Sequence, residues 1–162
     1  MARWRPEVSE VLPSDAGEDL CQFCGGLSLR GSESASLRVV VDASGGLDRF
    51  RASPEGELLQ KIFEAMALDP ARVGYVFLEP SEEEGCSFER MRESGTRFLL
   101  AFGADALSAV TGAEDSIRGK VYDCRGIPVL GTESLRNLVE HPSLKRAAWE
   151  EIKIVIRELG LK

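Results

Sequence analysis

The sequence has a single histidine, few aromatic residues and no long run of apolar side chains. A membrane-spanning helix needs about 20 consecutive apolar residues, and no segment approaches that length. The amino terminus carries two arginines without an apolar segment behind them, so it does not predict a secretory signal peptide. We therefore expect a cytoplasmic protein with no membrane partner. Its four cysteines should then lie in a reducing compartment, as free thiols or metal ligands.

Basic residues are also fewer than acidic ones. Twenty lysines and arginines stand against 27 aspartates and glutamates, which gives a formal net charge of −7. Cationic side chains supply most of the non-specific affinity of proteins for phosphate backbones. The acidity therefore disfavours a general duplex-DNA binder, although a local basic patch stays open. The length of 162 residues and the apolar content of 43% predict one globular domain.

Strand-like segments alternate with helical ones along the chain. The run from Leu37 to Val41 predicts a buried strand that ends at Asp42, beside a loop of small residues. Ligands sit at such carboxyl ends in open α/β sheets. Ser53 and Pro54 predict a capped helix start. The remaining predicted strands span residues 73–78, 97–102, 120–123 and 127–130, and the remaining helices span 86–93, 104–110 and 142–159.

Residues 1–36 have no sustained hydrophobic period, and we interpret them as an amino-terminal arm with a short helical turn near residues 16–24. Residues 37–162 then form the folded domain. Strands that alternate with helices predict a three-layer α/β/α fold with a mostly parallel central sheet.

The carboxy-terminal half carries a series of short motifs in a fixed order. The series reads FLLAFGA at 98–104, RGKV at 118–121, RGIPV at 125–129, and then Thr132, Pro142, Lys145 and Trp149. In this order, and without a gap from residue 98 to the end, the chain resembles the uracil-DNA glycosylase superfamily, most closely its iron–sulfur (family 4-type) branch. The resemblance implies a uracil-DNA glycosylase-like fold for residues 37–162.

Members of that superfamily flip a base out of DNA and cleave its glycosidic bond. The resemblance places Asp42 and Ser44 in the motif that anchors water, Phe77 in the place of the base-reading asparagine, and Ser134 in the place of the catalytic histidine. Phe50 falls near the base-stacking aromatic and fits a core role equally well. Phenylalanine offers no hydrogen bond and serine no positive charge, and the loss of one such group commonly costs about 3–4 kcal/mol of barrier. We therefore predict that base excision is lost.

His141 begins a His-Pro-Ser tripeptide that spells the catalytic motif seven residues too late. We favour a polar residue beside the helix start at Pro142. A second interpretation, in which a remodelled loop brings His141 to the catalytic pocket beside Asp42, stays open. The resemblance also places Arg136 and Asn137 in the loop that contacts DNA.

The cysteines only partly match those of the iron–sulfur branch. Cys21 and Cys24 form a Cys-x-x-Cys pair and Cys86 matches a third ligand, whereas Ser81 is nearest to the position of the remaining one. An iron–sulfur cluster usually takes four thiolates. We expect no cofactor and reduced thiols, with zinc or a cluster completed by a substitute ligand as the alternatives.

Three functions follow from these observations. The first is a glycosylase-like protein without base excision that serves as a binding or interaction module in DNA repair or replication. Its partners would be single-stranded or uracil-containing DNA, bound weakly, or a replication or repair protein. The second is an active, divergent uracil-DNA glycosylase, and the third is a nucleotide-binding or regulatory domain.

Overall fold

The computed structural model describes residues 27–32, 34–42, 46–78, 87–112, 117–124 and 126–160. The strands within these ranges are β1 (Ser28–Gly31), β2 (Leu37–Val41), β3 (Gly74–Phe77), β4 (Phe98–Phe102), β5 (Val121–Cys124) and β6 (Ile127–Thr132). The α-helices are α1 (Leu47–Ala52), α2 (Pro54–Ala65), α3 (Ser87–Glu93), α4 (Ala104–Thr111), α5 (Leu135–Glu140) and α6 (Lys145–Leu159). Short 3-10 turns occur at Pro70–Arg72 and Pro142–Leu144.

The six strands form one sheet in the order β1-β3-β2-β4-β6-β5. The four central strands run parallel to one another, while β1 and β5 pair antiparallel at the two edges. This arrangement confirms the predicted α/β class and the parallel centre of the sheet. The central strands are almost wholly buried, as strands covered on both faces must be.

Helices cover both faces of the sheet. On one face α1, α2, α5 and α6 bury an apolar core that includes Phe50, Phe63, Tyr75 and Ile152. On the other face α3 and α4 cover a second core around Met91. The alternation of side chains along a strand explains the division, since Val39 and Val41 face the first core and Val40 faces the second. The predicted three-layer arrangement is therefore present.

The amino-terminal boundary differs from the prediction. Ser28–Gly31 was expected in the arm, yet these residues form the edge strand β1 and pair with β3 from Ser28 opposite Phe77 to Gly31 opposite Gly74. The short run Ser-Leu-Arg-Gly gives little periodic signal, and its pairing partner lies more than 40 residues away. The sheet therefore begins before residue 37, while residues 1–26, including the predicted turn at 16–24, lie outside the described ranges.

Local signals explain where the main helices begin and end. Ser53 caps α2 by accepting a hydrogen bond from the backbone N–H of Gly56 at 3.1 Å, and Pro54 occupies the first helical position. Gly160 ends α6 in a left-handed conformation at φ 76°. Pro142 opens a 3-10 turn, so the α-helix itself starts three residues later than predicted, at Lys145.

The order of the central strands creates a crevice. After β2 the chain forms β3 on one side of it and then crosses to form β4 on the other side. The connections that leave the carboxyl ends of β2 and β4 therefore diverge. Open α/β sheets bind ligands at such a switch point. No helix among the residues described has the length and apolar character needed to cross a membrane.

Candidate functional site

Two adjoining cavities open at the carboxyl ends of β2, β4 and β6. Their volumes are about 410 and 420 Å³, within the roughly 300–1,000 Å³ that small-molecule sites occupy. We call them together the cleft. The residues that line both cavities are Asp42, Phe102, Asp105 and Ser134. The cleft therefore lies at the switch point of the sheet.

Asp42 stands where the sequence predicted a functional carboxylate. The buried strand β2 ends at Val41, so the next side chain emerges at the carboxyl edge of the sheet. Asp42 is exposed and lines both cavities. Arg136 and Phe50 line the first cavity, and Asn137 lines the second. With Ser134, which lines both cavities, the structure thus brings together five of the residues that the sequence assigned to one site.

The two aromatic residues of the predicted base pocket have different positions. Phe50 is 7% exposed and lines the first cavity. Phe77 is fully buried, lines neither cavity, and meets Phe50 edge-on with ring centroids 5.8 Å apart. Tyr75 contacts both rings at 6.0 and 6.3 Å. Phe77 therefore supports the wall that Phe50 presents, and it offers the cleft no hydrogen bond.

Ser134 caps helix α5. Its hydroxyl oxygen accepts a hydrogen bond from the backbone N–H of Asn137 at 3.1 Å, in the geometry of an N-cap residue. Ser134 packs closely against Gly103, the residue that follows β4. A Cβ added to this glycine would lie only 3.1 Å from the Ser134 Cβ. Ser134 thus lines both cavities of the cleft, while its hydroxyl is hydrogen-bonded to the backbone of its own helix.

His141 lies at the other end of α5, outside the cleft. Its backbone N–H donates to the carbonyl of Asn137 at 2.7 Å, and its carbonyl accepts from Leu144 at 2.9 Å. The side chain is exposed and lines neither cavity. His141 therefore occupies a junction between two helical segments, as the first of its two interpretations predicted.

A polar network that the sequence did not reveal borders the second cavity. Arg118 donates to Glu151 through Nε and Nη2, each at 3.0 Å, and also forms an ion pair with Glu133. The hydroxyl of Thr132 donates to the same Glu151 at 2.6 Å, and the Asn137 amide donates to Glu133 at 2.6 Å. The network thereby connects β6, α5 and α6 at the rim of the cleft.

The network shifts the titration of its members. The hydrogen bond to Glu151 raises the pKa of Arg118 above its ordinary value, and the charges of Glu151 and Glu133 act in the same direction. The Asn137 amide, with Arg118 beside it, holds the pKa of Glu133 below its ordinary value. Both groups therefore stay charged at neutral pH.

Among the residues that the structure describes, carboxylates outnumber guanidinium groups in the cleft. The lining residues with negative charge are Asp42, Glu55, Asp105 and Glu133, and those with positive charge are Arg49, Arg118 and Arg136. Two carboxylates already neutralise Arg118. Arg136 is exposed, with its Nε 4.0 Å from Glu55. The cleft does not resemble the basic groove that a polyanion requires.

The predicted metal ligands belong to segments outside the described residues. They are Cys21, Cys24 and Cys86, and Ser81 and the predicted pocket residue Ser44 lie outside as well. Cys124 ends β5 and is buried in the second core. Within the ranges that the structure describes, no three potential metal-ligating side chains come together.

Comparison with known proteins gives no family match for the chain, and no curated protein is significantly similar to it. The resemblance to uracil-DNA glycosylases therefore stays a prediction.

Proposed function

We propose that this chain is a uracil-DNA glycosylase-like protein without base-excision activity, which acts as a binding or interaction module associated with DNA repair or replication. The observation that carries the proposal is the hydrogen bond from the Asn137 N–H to the Ser134 hydroxyl. At the position that the resemblance assigns to the imidazole that stabilises the departing base, this chain has a helix cap.

Two further features of the cleft support loss of catalysis. Phe77 is buried in the core, so no amide reads a pyrimidine from that strand. The exposed His141 lines neither cavity. An oxocarbenium-like transition state and a departing base anion need preorganised charge beside them. Of the two residues predicted to be catalytic, Asp42 lines the cleft and His141 does not.

The charge of the cleft favours a protein or small-molecule partner over a DNA strand. With four carboxylates against three arginines among its described lining residues, the cleft should hold single-stranded DNA no more tightly than about 10⁻⁴ M at physiological salt. Fluorescence anisotropy of a labelled single strand containing uracil measures this affinity. If the strand binds more tightly, exchange of both Arg49 and Arg136 for glutamine will show whether the binding occurs at the cleft.

An active, divergent glycosylase is the second candidate. It is favoured by the exposed carboxylate of Asp42, which lines both cavities and would orient the attacking water. Incubation of the full chain with a uracil-containing single strand separates the two candidates. Formation of abasic product that falls with Asp42→Asn supports the enzyme, whereas the absence of product from both forms supports the interaction module.

A further inference from the structure

An apolar groove runs between α2 and α6 on the outer face of the first helical layer. Leu58 and Ile62 of α2 and Trp149 of α6 are half-buried along its walls. Leu138, Ala148 and Ile152 form a buried floor beneath them. Helix α2 packs against α5, while α6 packs against β4, β6 and the 3-10 turn before it. The two wall helices therefore pack mainly against other elements, and apolar side chains between them stay half-exposed.

The size of the groove suits side chains better than a metabolite. Its volume is about 250 Å³, below the roughly 300–1,000 Å³ of small-molecule pockets. Partner helices bind such grooves by placing apolar side chains spaced by three and four residues between two receptor helices. Walls formed by two helices and a floor of leucine, alanine and isoleucine match this mode of recognition.

The charge around the groove is opposite to that of the molecule. Among the described residues, the charged side chains that line it are Lys61 and Lys145, one on each wall helix, and both are exposed. The chain as a whole has a net charge of −7. Two cations beside an apolar groove on an acidic protein favour a partner that carries negative charge next to its apolar anchors.

We propose that this groove binds an acidic amphipathic helix of a partner protein, with apolar anchors against Trp149 and Ile62 and carboxylates beside Lys61 and Lys145. The groove is lined by residues other than those of the cleft. The inference therefore holds whatever the cleft binds, and its failure would leave the proposal for the cleft untouched.

Trp149 supplies a direct readout. The chain has two tryptophans, Trp4 and Trp149, so Trp4→Phe leaves a single fluorophore in the groove wall. This variant of the full chain is titrated with a synthetic helical peptide that has leucines on one face and glutamates elsewhere. Two control peptides have the same composition in scrambled order, or lysines in place of the glutamates.

We expect a saturable change in Trp149 emission with the acidic peptide, with a dissociation constant in the micromolar range. The scrambled and lysine peptides should bind at least about tenfold more weakly. The double variant Lys61→Glu/Lys145→Glu should weaken the acidic peptide about tenfold and improve the lysine peptide, because the charges at the rim are reversed. The matched control, Lys153→Glu/Arg157→Glu, makes the same charge change on α6 outside the groove and should bind like the parent.

Two results would overturn the proposal. One is an absence of saturable binding, or equal binding of the acidic and lysine peptides, by variants whose circular dichroism matches that of the parent. The other is a molar mass that doubles with protein concentration and returns to the monomer value in Lys61→Glu/Lys145→Glu, since the groove would then be covered by a second copy of this chain.

Discussion

Replacing Ser134 with alanine removes one hydrogen bond from the start of helix α5 and leaves the rest of the cleft unchanged. The Ser134 hydroxyl accepts from the Asn137 N–H at 3.1 Å, and the helix has only six residues. Loss of an N-cap side chain costs about 1 kcal/mol in proteins. We expect Ser134→Ala to lower the free energy of unfolding by that amount, which corresponds to about 3 °C in Tm for a chain of 162 residues.

The matched control for this prediction is Ser134→Asn. Asparagine keeps a capping oxygen without adding charge beside Glu133, so its stability should stay within about 0.5 kcal/mol of the parent. Urea unfolding followed by circular dichroism measures the free energy of unfolding of both variants, provided that its slope against urea concentration stays constant. An unchanged midpoint for Ser134→Ala, or equal losses of stability for the two variants, would refute the capping role. The hydroxyl would then be free to bind a ligand.

The capping role also predicts the effect of a histidine at this position. Ser134→His would introduce an imidazole at the position where the resemblance predicts one, but histidine lacks the short side-chain oxygen of a good cap. We therefore expect this variant to lose about 1 kcal/mol of stability as well.

Three other substitutions test the surroundings of the cleft. Glu133→Gln should make the free energy of unfolding fall less steeply as the pH is lowered. A carboxyl with a lowered pKa stabilises the fold above its unfolded pKa near 4.3 and loses that contribution as pH falls. Urea midpoints measured from pH 6 down to about pH 3 test this. Glu151→Ala should cost about 1–2 kcal/mol in the same assay, because the paired Arg118 loses both of its hydrogen bonds to this carboxylate. Gly56→Ala should cost at least about 1 kcal/mol by calorimetry, since its Cβ would collide with the Phe50 carbonyl where α1 meets α2, and a midpoint like that of the parent would show that the helices can separate freely.

The central strands and main helices were predictable because their signals are local. The run from Leu37 to Val41 is continuously apolar apart from Arg38, and the Ser53-Pro54 start of α2 follows a common capping pattern. Strand β1 was missed because a four-residue edge strand has no period of its own. The sequence also gives no indication that Arg38 is buried. Its guanidinium donates hydrogen bonds to Thr96 and to the backbone carbonyls of Arg30 and Ser32.

Helix α5 was missed although its signals are present. Ser134 is a good cap residue, and Leu135 and Leu138 follow at helical spacing and are both buried. The resemblance favoured a loop there and outweighed the capping pattern. The extent of this helix also explains the position of His141, which lies at its carboxyl end and outside the cleft.

The site itself was predictable only where a strand end carries a polar residue. Asp42 follows a buried strand directly, so its place at the carboxyl edge of the sheet could be inferred. The pairing of Arg118 with Glu151 joins residues 33 positions apart, and nothing in either neighbourhood indicates the other. The charge balance of the cleft depends on such long-range neighbours, and it became visible only in three dimensions.

Loss of base excision is the central claim, and a single-turnover experiment tests it most directly. The full chain in excess is incubated with a labelled single strand that contains one uracil, and alkali-labile abasic sites are quantified over hours beside an active uracil-DNA glycosylase. We expect the same background for the parent chain and for Asp42→Asn. Abasic sites that accumulate with the parent and fall with Asp42→Asn would contradict this claim.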